Sequence, residues 1–338
     1  MDGRVLGKRY LLDIRIAKGG FSEIYIGFDI KTKKQIAIKM ESVKEKPPQL
    51  LFESKLYKLL HGGTGIPNTR FFGSTPDYNF LVMDLLGPSF QSPYFRNLPL
   101  SHVLMFADQM INCIEFVHSK SFLHRSIKPG NFVLGTGMHK YQAYIIDFGL
   151  AKRYRNPSSH EHIPYRENKQ FLGNPTYASI YTHRGFEQSR RDDMESLGYV
   201  LMYMIRGSLP WEEIKADTVR QRCEKIEEKK ASTSIEDLCR GYPTEFASYF
   251  NYCRSLKFED EPDYARLKRI FRDLFIREGF KLGDCVLDWA RTRTPPFQPL
   301  GPGAGAAPSS DIPPAIPNAH AHSGCFPYAS MCALVSKF

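Results

Sequence analysis

The chain has 338 residues, 42% of them hydrophobic and 24% charged, which is length and apolar content enough for two lobes with separate cores. No apolar run of about eighteen residues is present and the opening Met1-Asp2-Gly3-Arg4 lacks the apolar stretch of a secretory signal, so the expectation is a cytosolic or nuclear protein without a membrane span. The formal net charge of +10 points to anionic partners: acidic proteins, phosphorylated proteins or nucleic acid, the last being weakest because no zinc-finger spacing or RNA-recognition signature accompanies the charge. Seven cysteines lie scattered without a C-x-x-C pair, a pattern of reduced thiols rather than of a disulfide framework or a zinc site.

In chain order, β-rich runs at Tyr10–Ile16, Ile24–Phe28 and Gln35–Met40 alternate with the breakers Lys18-Gly19-Gly20 and Lys31-Thr32, an antiparallel meander. A short helix over Leu50–Leu60 follows, and Phe71-Phe72 with Phe80–Met83 supply two more strands. Together these predict a small lobe of five strands and one helix. Beyond the linker Asp84-Leu85-Leu86-Gly87 the pattern becomes helical. Val103, Ala107, Met110, Ile114 and Val117 recur at spacings of four and three, one apolar helix face with Ser101 as its expected N-cap. A second helix is predicted over Arg191–Ile205. Eight prolines between Pro295 and Pro317, interleaved with Gly, Ala and Ser, cannot bury enough surface to offset ordering entropy, so residues 293–338 are expected to be a disordered tail.

The chemistry concentrates in Leu123-His124-Arg125-Ser126-Ile127-Lys128-Pro129-Gly130-Asn131, followed sixteen residues after Asn131 by Asp147-Phe148-Gly149 at the end of the apolar run Tyr144-Ile145-Ile146. Upstream stand Ile36-Ala37-Ile38-Lys39 and, on the next helix, Glu53. A lone lysine on a strand is usually a solvated charge, and an aspartate before Phe-Gly can merely end a strand. In this order and spacing the four blocks resemble the phosphate-binding strand, its ion-pair glutamate, the catalytic loop and the magnesium loop of a protein kinase.

Further blocks narrow the resemblance. Pro48-Gln49-Leu50 with Glu53-Ser54-Lys55-Leu56-Tyr57, Met83–Ser89, His162-Ile163-Pro164-Tyr165-Arg166, Tyr177-Ala178-Ser179-Ile180 and Glu187–Asp193 are similar to the casein kinase I family, which lacks the usual Ala-Pro-Glu triplet. The resemblance spans about Gly7 to Trp289. It implies an α+β, two-lobed protein-kinase fold over 7–292, with a β-rich N-lobe carrying one helix (about 7–83), a hinge (84–87) and a mostly helical C-lobe (88–292). It also implies ATP and Mg2+ as cofactors, protein substrates or binding partners, and a monomer. Carried over residue by residue, Lys39 would hold the α and β phosphates, Glu53 would orient Lys39, and Asn131 and Asp147 would ligate magnesium. Lys128 would steady the transferred phosphoryl group. Ile16, Gly19, Ile24 and Ala37 would enclose the nucleotide, with Met83 as gatekeeper and Asp84 to Leu86 as the adenine hinge.

The same comparison exposes departures. Ser126 stands where the family keeps the aspartate that takes the substrate hydroxyl's proton, and a serine is no carboxylate base. The phosphate-covering loop reads Ala17-Lys18-Gly19-Gly20-Phe21-Ser22, with side chains at Ala17 and Ser22 where the family has glycine. Gly173-Asn174-Pro175-Thr176 lacks both the threonine that supports the catalytic loop and the arginine linked with pre-phosphorylated substrates. Arg222 of that anion site is kept, Glu213 replaces a glycine beside it, and Gly130 replaces another aspartate. His124, Phe148, Asp193, Arg190, Arg191 and Trp211 retain the scaffold. The expected protein is a casein-kinase-I-like pseudokinase; an active serine/threonine kinase with slow turnover is the alternative.

Overall fold

The computed structural model describes residues 4–19, 22–44 and 48–285. Its small lobe is one antiparallel sheet of six strands: β1 Val5–Leu6, β2 Tyr10–Lys18, β3 Ser22–Asp29, β4 Gln35–Ser42, β5 Thr69–Ser74 and β6 Tyr78–Asp84, in the spatial order β1-β2-β3-β4-β6-β5. The five-stranded reading is thereby corrected. The added strand, β1, is only two residues long, too short for alternation to announce it, and it joins the sheet through Leu6 opposite Tyr10.

Alternation within β4 decides which side chains face the cleft, because successive residues of a strand point to opposite faces. Ile36, Ile38 and Met40 join Leu6, Tyr10, Leu12, Phe80 and Val82 in one buried cluster. Ala37, Lys39 and Glu41 therefore share the other face, with Ile24 on the rung of Lys39 and Met83 on the rung of Ala37. Helix α1, Gln49–Leu60, covers that face. Pro48 precedes it without a side-chain cap; instead the buried Glu41 carboxylate accepts the amide protons of Gln49 and Leu50 at 2.8 and 3.0 Å. A negative group at a helix N-terminus satisfies orphan donors and meets the positive end of the dipole. The strand that carries Lys39 is thus fastened to the helix that carries Glu53.

The large lobe is built on helices α2 Leu100–Ser119, α3 Ile180–His183, α4 Arg190–Arg206, α5 Val219–Ser232, α6 Ile235–Leu238, α7 Thr244–Ser255 and α8 Tyr264–Arg277. The periodic residues Val103, Ala107, Met110, Ile114 and Val117 are all fully buried, the valine, methionine and isoleucine side chains each contributing roughly 1.5–3 kcal/mol. Ser101 is not the N-cap. The carbonyl of Pro99 accepts from His102 and Val103, since proline's preset φ lets the chain enter the helix there, and the Ser101 hydroxyl lies 3.3 Å from His102 Nδ1 instead. Between α2 and α3 run two small ladders, β7 Phe122–Leu123 with β10 Lys152–Arg153, and β8 Phe132–Leu134 with β9 Ala143–Ile145. Helix α4 starts where Asp192 Oδ2 accepts the Ser189 amide at 2.8 Å and stops at Gly207, whose φ of 81° suits glycine.

The linker is tied to the large lobe by the Gly87 amide, which donates to Leu134 at 2.7 Å. A Cβ on Gly87 would lie 2.8 Å from the Gly135 carbonyl, so only glycine admits this approach. No helix among the described residues is long and apolar enough to cross a membrane. The tail read at 293–338 lies outside the described residues.

Candidate active site

On the small-lobe side, Lys39 Nζ donates to Glu53 Oε2 at 2.6 Å and to Asp147 Oδ1 at 2.7 Å. Burial alone would pull the ammonium down, but the two carboxylates outweigh it and hold Lys39 protonated, above its ordinary range. The Asp147 carboxyl is held down to about 2: burial pushes it up, and Lys39, with smaller help from Lys128, overrides that push. The backbone around Asp147 is fixed from α1. Glu53 Oε1 accepts the Phe148 amide at 3.3 Å and the Tyr57 hydroxyl accepts the Asp147 amide at 3.1 Å. These bonds retain Asp147 at φ 68°, a left-handed conformation that costs a non-glycine residue energy and persists where its surroundings over-determine it. Glu41 lies outside every motif, and Tyr57 enters the sequence reading only as the last residue of a family block, without a role. Their signals are spacing: Glu41 lies two residues from Lys39 on a strand, and Tyr57 four residues from Glu53 on a helix.

The catalytic-loop segment is held through its main chain. Asp193, buried on α4, accepts the amides of His124 and Arg125 at 2.8 and 2.9 Å and the imidazole of His118 at 2.9 Å. Burial pushes the Asp193 carboxyl up, and the hydrogen bond and charge of His118 reverse this, so it stays ionised below its ordinary range. His124 stacks edge-on against Phe148, with ring centroids 5.1 Å apart, and Phe148 against Tyr57 at 5.0 Å. Ser126, 7% exposed, is fixed mainly by its carbonyl, which accepts from Asn131 Nδ2 at 2.8 Å, while its hydroxyl lies 3.3 Å from the same nitrogen. That use of the Asn131 amide nitrogen leaves its Oδ1 available for a ligand. Lys128 is half-buried, and its ammonium has no hydrogen-bond or ion-pair partner among the described residues.

Across from Ser126 runs the segment Gly173–Ser179. Asn174 turns its Oδ1 onto the amide of Thr176 at 3.0 Å, a local turn of the kind asparagine favours, instead of bonding to Ser126. The segment is clamped by its carbonyls. Trp211 Nε1 donates to Thr176 at 2.7 Å, and Lys230 Nζ donates to Pro175 at 2.8 Å and Ala178 at 2.5 Å. Lys230 is buried between the rings of Tyr199 and Trp211, and that burial lowers its pKa well below the usual lysine range. A small pocket bounded by Arg125, Ser126, Asn174, Asp193 and neighbours has room for about one water. The Arg222 guanidinium is committed to the carbonyls of Ile214 and Glu212, at 3.0 and 3.4 Å, and Thr176 is neutral and buried.

Over the cleft, Ile24, Ala37 and Met83 lie on the cleft face of the sheet, with Ala37 directly opposite Met83. Ile16 is 51% exposed near the end of β2, and the Gly19 amide donates to Ser22 at 2.8 Å, closing the described part of the covering loop. Asp84 is not free at the hinge: Arg70 and Asn68 bind its carboxylate, and Leu86 is half-buried beyond it. Lys39, Glu53, Asp147, Asn131, Ser126 and Lys128 thus converge between the lobes, with the others above them.

Could these residues hold a divalent cation? Asp147 keeps an exposed face, its side chain 41% accessible, and Asn131 offers a carbonyl oxygen: two hard oxygen donors of the type magnesium prefers. Among the described residues no group of three or more His, Cys, Asp or Glu could hold a metal alone. A cation at this place would need further oxygens from a phosphate ligand and water, which is how magnesium is held beside nucleotides. The donor set fits Mg2+ carried with a nucleoside triphosphate, and protein kinase domains generally use ATP and Mg2+. A family model for the protein kinase domain matches residues 10–255, which includes every one of these positions and most of the chain, and the protein belongs to that family.

Proposed function

We propose that the chain is a casein-kinase-I-like pseudokinase that binds Mg-ATP and acts by binding other proteins. One juxtaposition carries the reading: Lys39, Glu53 and Asp147 form a closed ion-pair network at 2.6 and 2.7 Å with Asn131 nearby, while the position that should present a carboxylate to a substrate hydroxyl is Ser126. In this reading ATP supplies the phosphates that Lys39 neutralises, and Asp147 and Asn131 hold the cation. Glu53 keeps Lys39 aimed, and the cleft faces of Ile16, Gly19, Ile24 and Ala37 enclose the base with Met83, Asp84 and Leu86. Without a positioned base the transfer step loses about two to four orders of magnitude, or roughly 3 to 5 kcal/mol of barrier. The subfamily reading rests on the Pro48–Tyr57, Met83–Ser89 and Tyr177–Ile180 blocks.

A slow but genuine serine/threonine kinase acting on acidic proteins is the second reading. The unpartnered Lys128 ammonium favours it, because phosphoryl transfer depends mostly on positioning and charge stabilisation. Two measurements decide. Thermal-shift titration with Mg-ATP is expected to stabilise both the wild type and a Ser126→Asp variant, and no shift in either removes nucleotide binding from the proposal. In a radiolabelled phosphate-transfer assay the Ser126→Asp variant is expected to exceed the wild type by about a hundredfold. A wild-type rate within about tenfold of that variant favours the kinase reading instead.

A further inference from the structure

The hinge end of the small-lobe sheet carries a second charged feature. The turn Gly7–Arg9 and the turn Ile30–Lys34 lie side by side, joined by the Ile30 amide donating to the Arg9 carbonyl at 2.9 Å. Four lysines, Lys8, Lys31, Lys33 and Lys34, lie exposed on them. None has an ion-pair or hydrogen-bond partner for its ammonium among the described residues. The carboxylates at this end are already used. Asp29 is buried beneath the turns, accepting both Arg9 and the Lys31 amide, and Asp84 is bound by Arg70. Among the described residues, the charge of these four lysines is therefore uncompensated.

The backbone adds an independent observation. Lys8 and Lys33 both have positive φ, 60° and 58°, where glycine or asparagine is comfortable and a long side chain is strained. Strained backbone of this kind persists where its surroundings over-determine it, and it recurs at ligand-binding segments. Beside the lysines, Val5 and Ile30 are 48% and 40% exposed, so the surface is cationic with apolar contacts interleaved. It covers two adjacent turns, which is short for the phosphate track of a nucleic-acid duplex and poor in the apolar area that membrane insertion needs.

We propose that this end of the sheet is a docking surface for an acidic segment of a partner protein, in which carboxylates meet Lys8, Lys31, Lys33 and Lys34 and an interspersed apolar residue rests on Val5 or Ile30. The inference rests on the reading of the chain as a protein that acts by binding, and it concerns a face away from the nucleotide cleft. The test uses the full chain and a fluorescein-labelled synthetic peptide of alternating glutamate and valine. The wild type is expected to bind the peptide, with affinity falling steeply as salt is added, because exposed charges are screened. A Lys8→Asn/Lys33→Gly double variant is expected to bind it about tenfold more weakly or worse, with a melting temperature equal to or above the wild type, since both substitutions relieve strain. Equal binding by the variant overturns the proposal. So does tighter binding of duplex DNA, or of phosphatidylserine vesicles, than of the peptide at the same salt. The Mg-ATP thermal shift of the same variant reads the cleft separately: retained there while peptide binding fails, it leaves the nucleotide reading standing and removes only the docking surface.

Discussion

The two walls of the cleft are built to the same standard and equipped differently. On the upper wall the ionised side chains are themselves the bonds: Lys39 binds Glu53 and, from the large lobe, Asp147, and Glu41 caps the helix that brings Glu53 in. On the lower wall the scaffold is as tightly bonded, through Asp193 beneath the loop and Trp211 and Lys230 beneath the facing segment, yet Ser126, Asn174 and Thr176 are neutral and the Lys128 ammonium has no ion-pair partner among the described residues. The difference teaches that the lower wall is held by its main chain. Its anchors bind amides of residues 124 and 125 and carbonyls of residues 126, 175, 176 and 178, so chemistry-bearing side chains can be exchanged there without unfolding the site. Upper-wall side chains have no such freedom, because there the ionised groups themselves are the bonds.

The sharpest test of that contrast is Lys39→Met. Glu53, 1% exposed at its side chain, would be left as a buried carboxylate without its cation, which typically costs about 3–5 kcal/mol. Chemical denaturation should show that loss, and the thermal shift with Mg-ATP should vanish. Adding Glu53→Gln should recover part of the stability, since a neutral amide oxygen can still accept the Phe148 amide, without restoring the nucleotide response. A single variant as stable as the wild type would break the comparison at its strongest point.

Acid titration separates the walls by sign. Asp147 is held at about 2 against an ordinary 3.8, so its contribution is fully present above pH about 4 and is lost as pH falls toward about 2. Asp192, on α4 behind the lower wall, is pushed up to about 6 by burial, against the hydrogen bonds from Ser179 and Ser189. Its sign is opposite: the folded state holds the proton more tightly than the unfolded chain, so stability falls as pH rises from about 4 to about 6. Melting temperatures across pH 2 to 7 should flatten in the acid limb for Asp147→Asn and in the upper limb for Asp192→Asn. Profiles parallel to the wild type in both variants would show that neither carboxylate sets the pH response.

What the sequence made legible follows from the range of the interactions. Lys39, Glu53, Asn131 and Asp147 are readable because each sits in a short block whose pattern is complete within a few residues, and the apolar face of α2 is readable because helix periodicity is local. The clamps are not. Lys230 reaches Ala178 across 52 positions, and Asp193 reaches His124 across 69; no local pattern distinguishes a lysine that will be buried against carbonyls from the exposed lysines of the same helix. The N-cap of α2 was obscured differently, since Ser101 satisfies the residue preference while Pro99 supplies the geometry. Asn174 illustrates a third limit: its identity does not name its partner, and only the fold shows that it spends its side chain on Thr176.

The smallest expected effect is the most informative about Ser126. Its hydroxyl lies at 3.3 Å from Asn131 Nδ2, whereas its carbonyl takes the shorter bond from the same nitrogen at 2.8 Å. Ser126→Ala removes only the weaker contact and leaves the loop anchored through Asp193, so stability should change by less than about 1 kcal/mol. The Mg-ATP thermal shift should be unchanged, and whatever phosphate transfer the wild type supports should be unchanged as well, because a hydroxyl that serves as no base has nothing to lose. A fall in transfer of about tenfold or more would mean that Ser126 itself orients the acceptor, directly or through a water in the pocket beside it. The lower wall would then carry a reduced chemistry of its own rather than none, and the contrast between the walls would become one of degree.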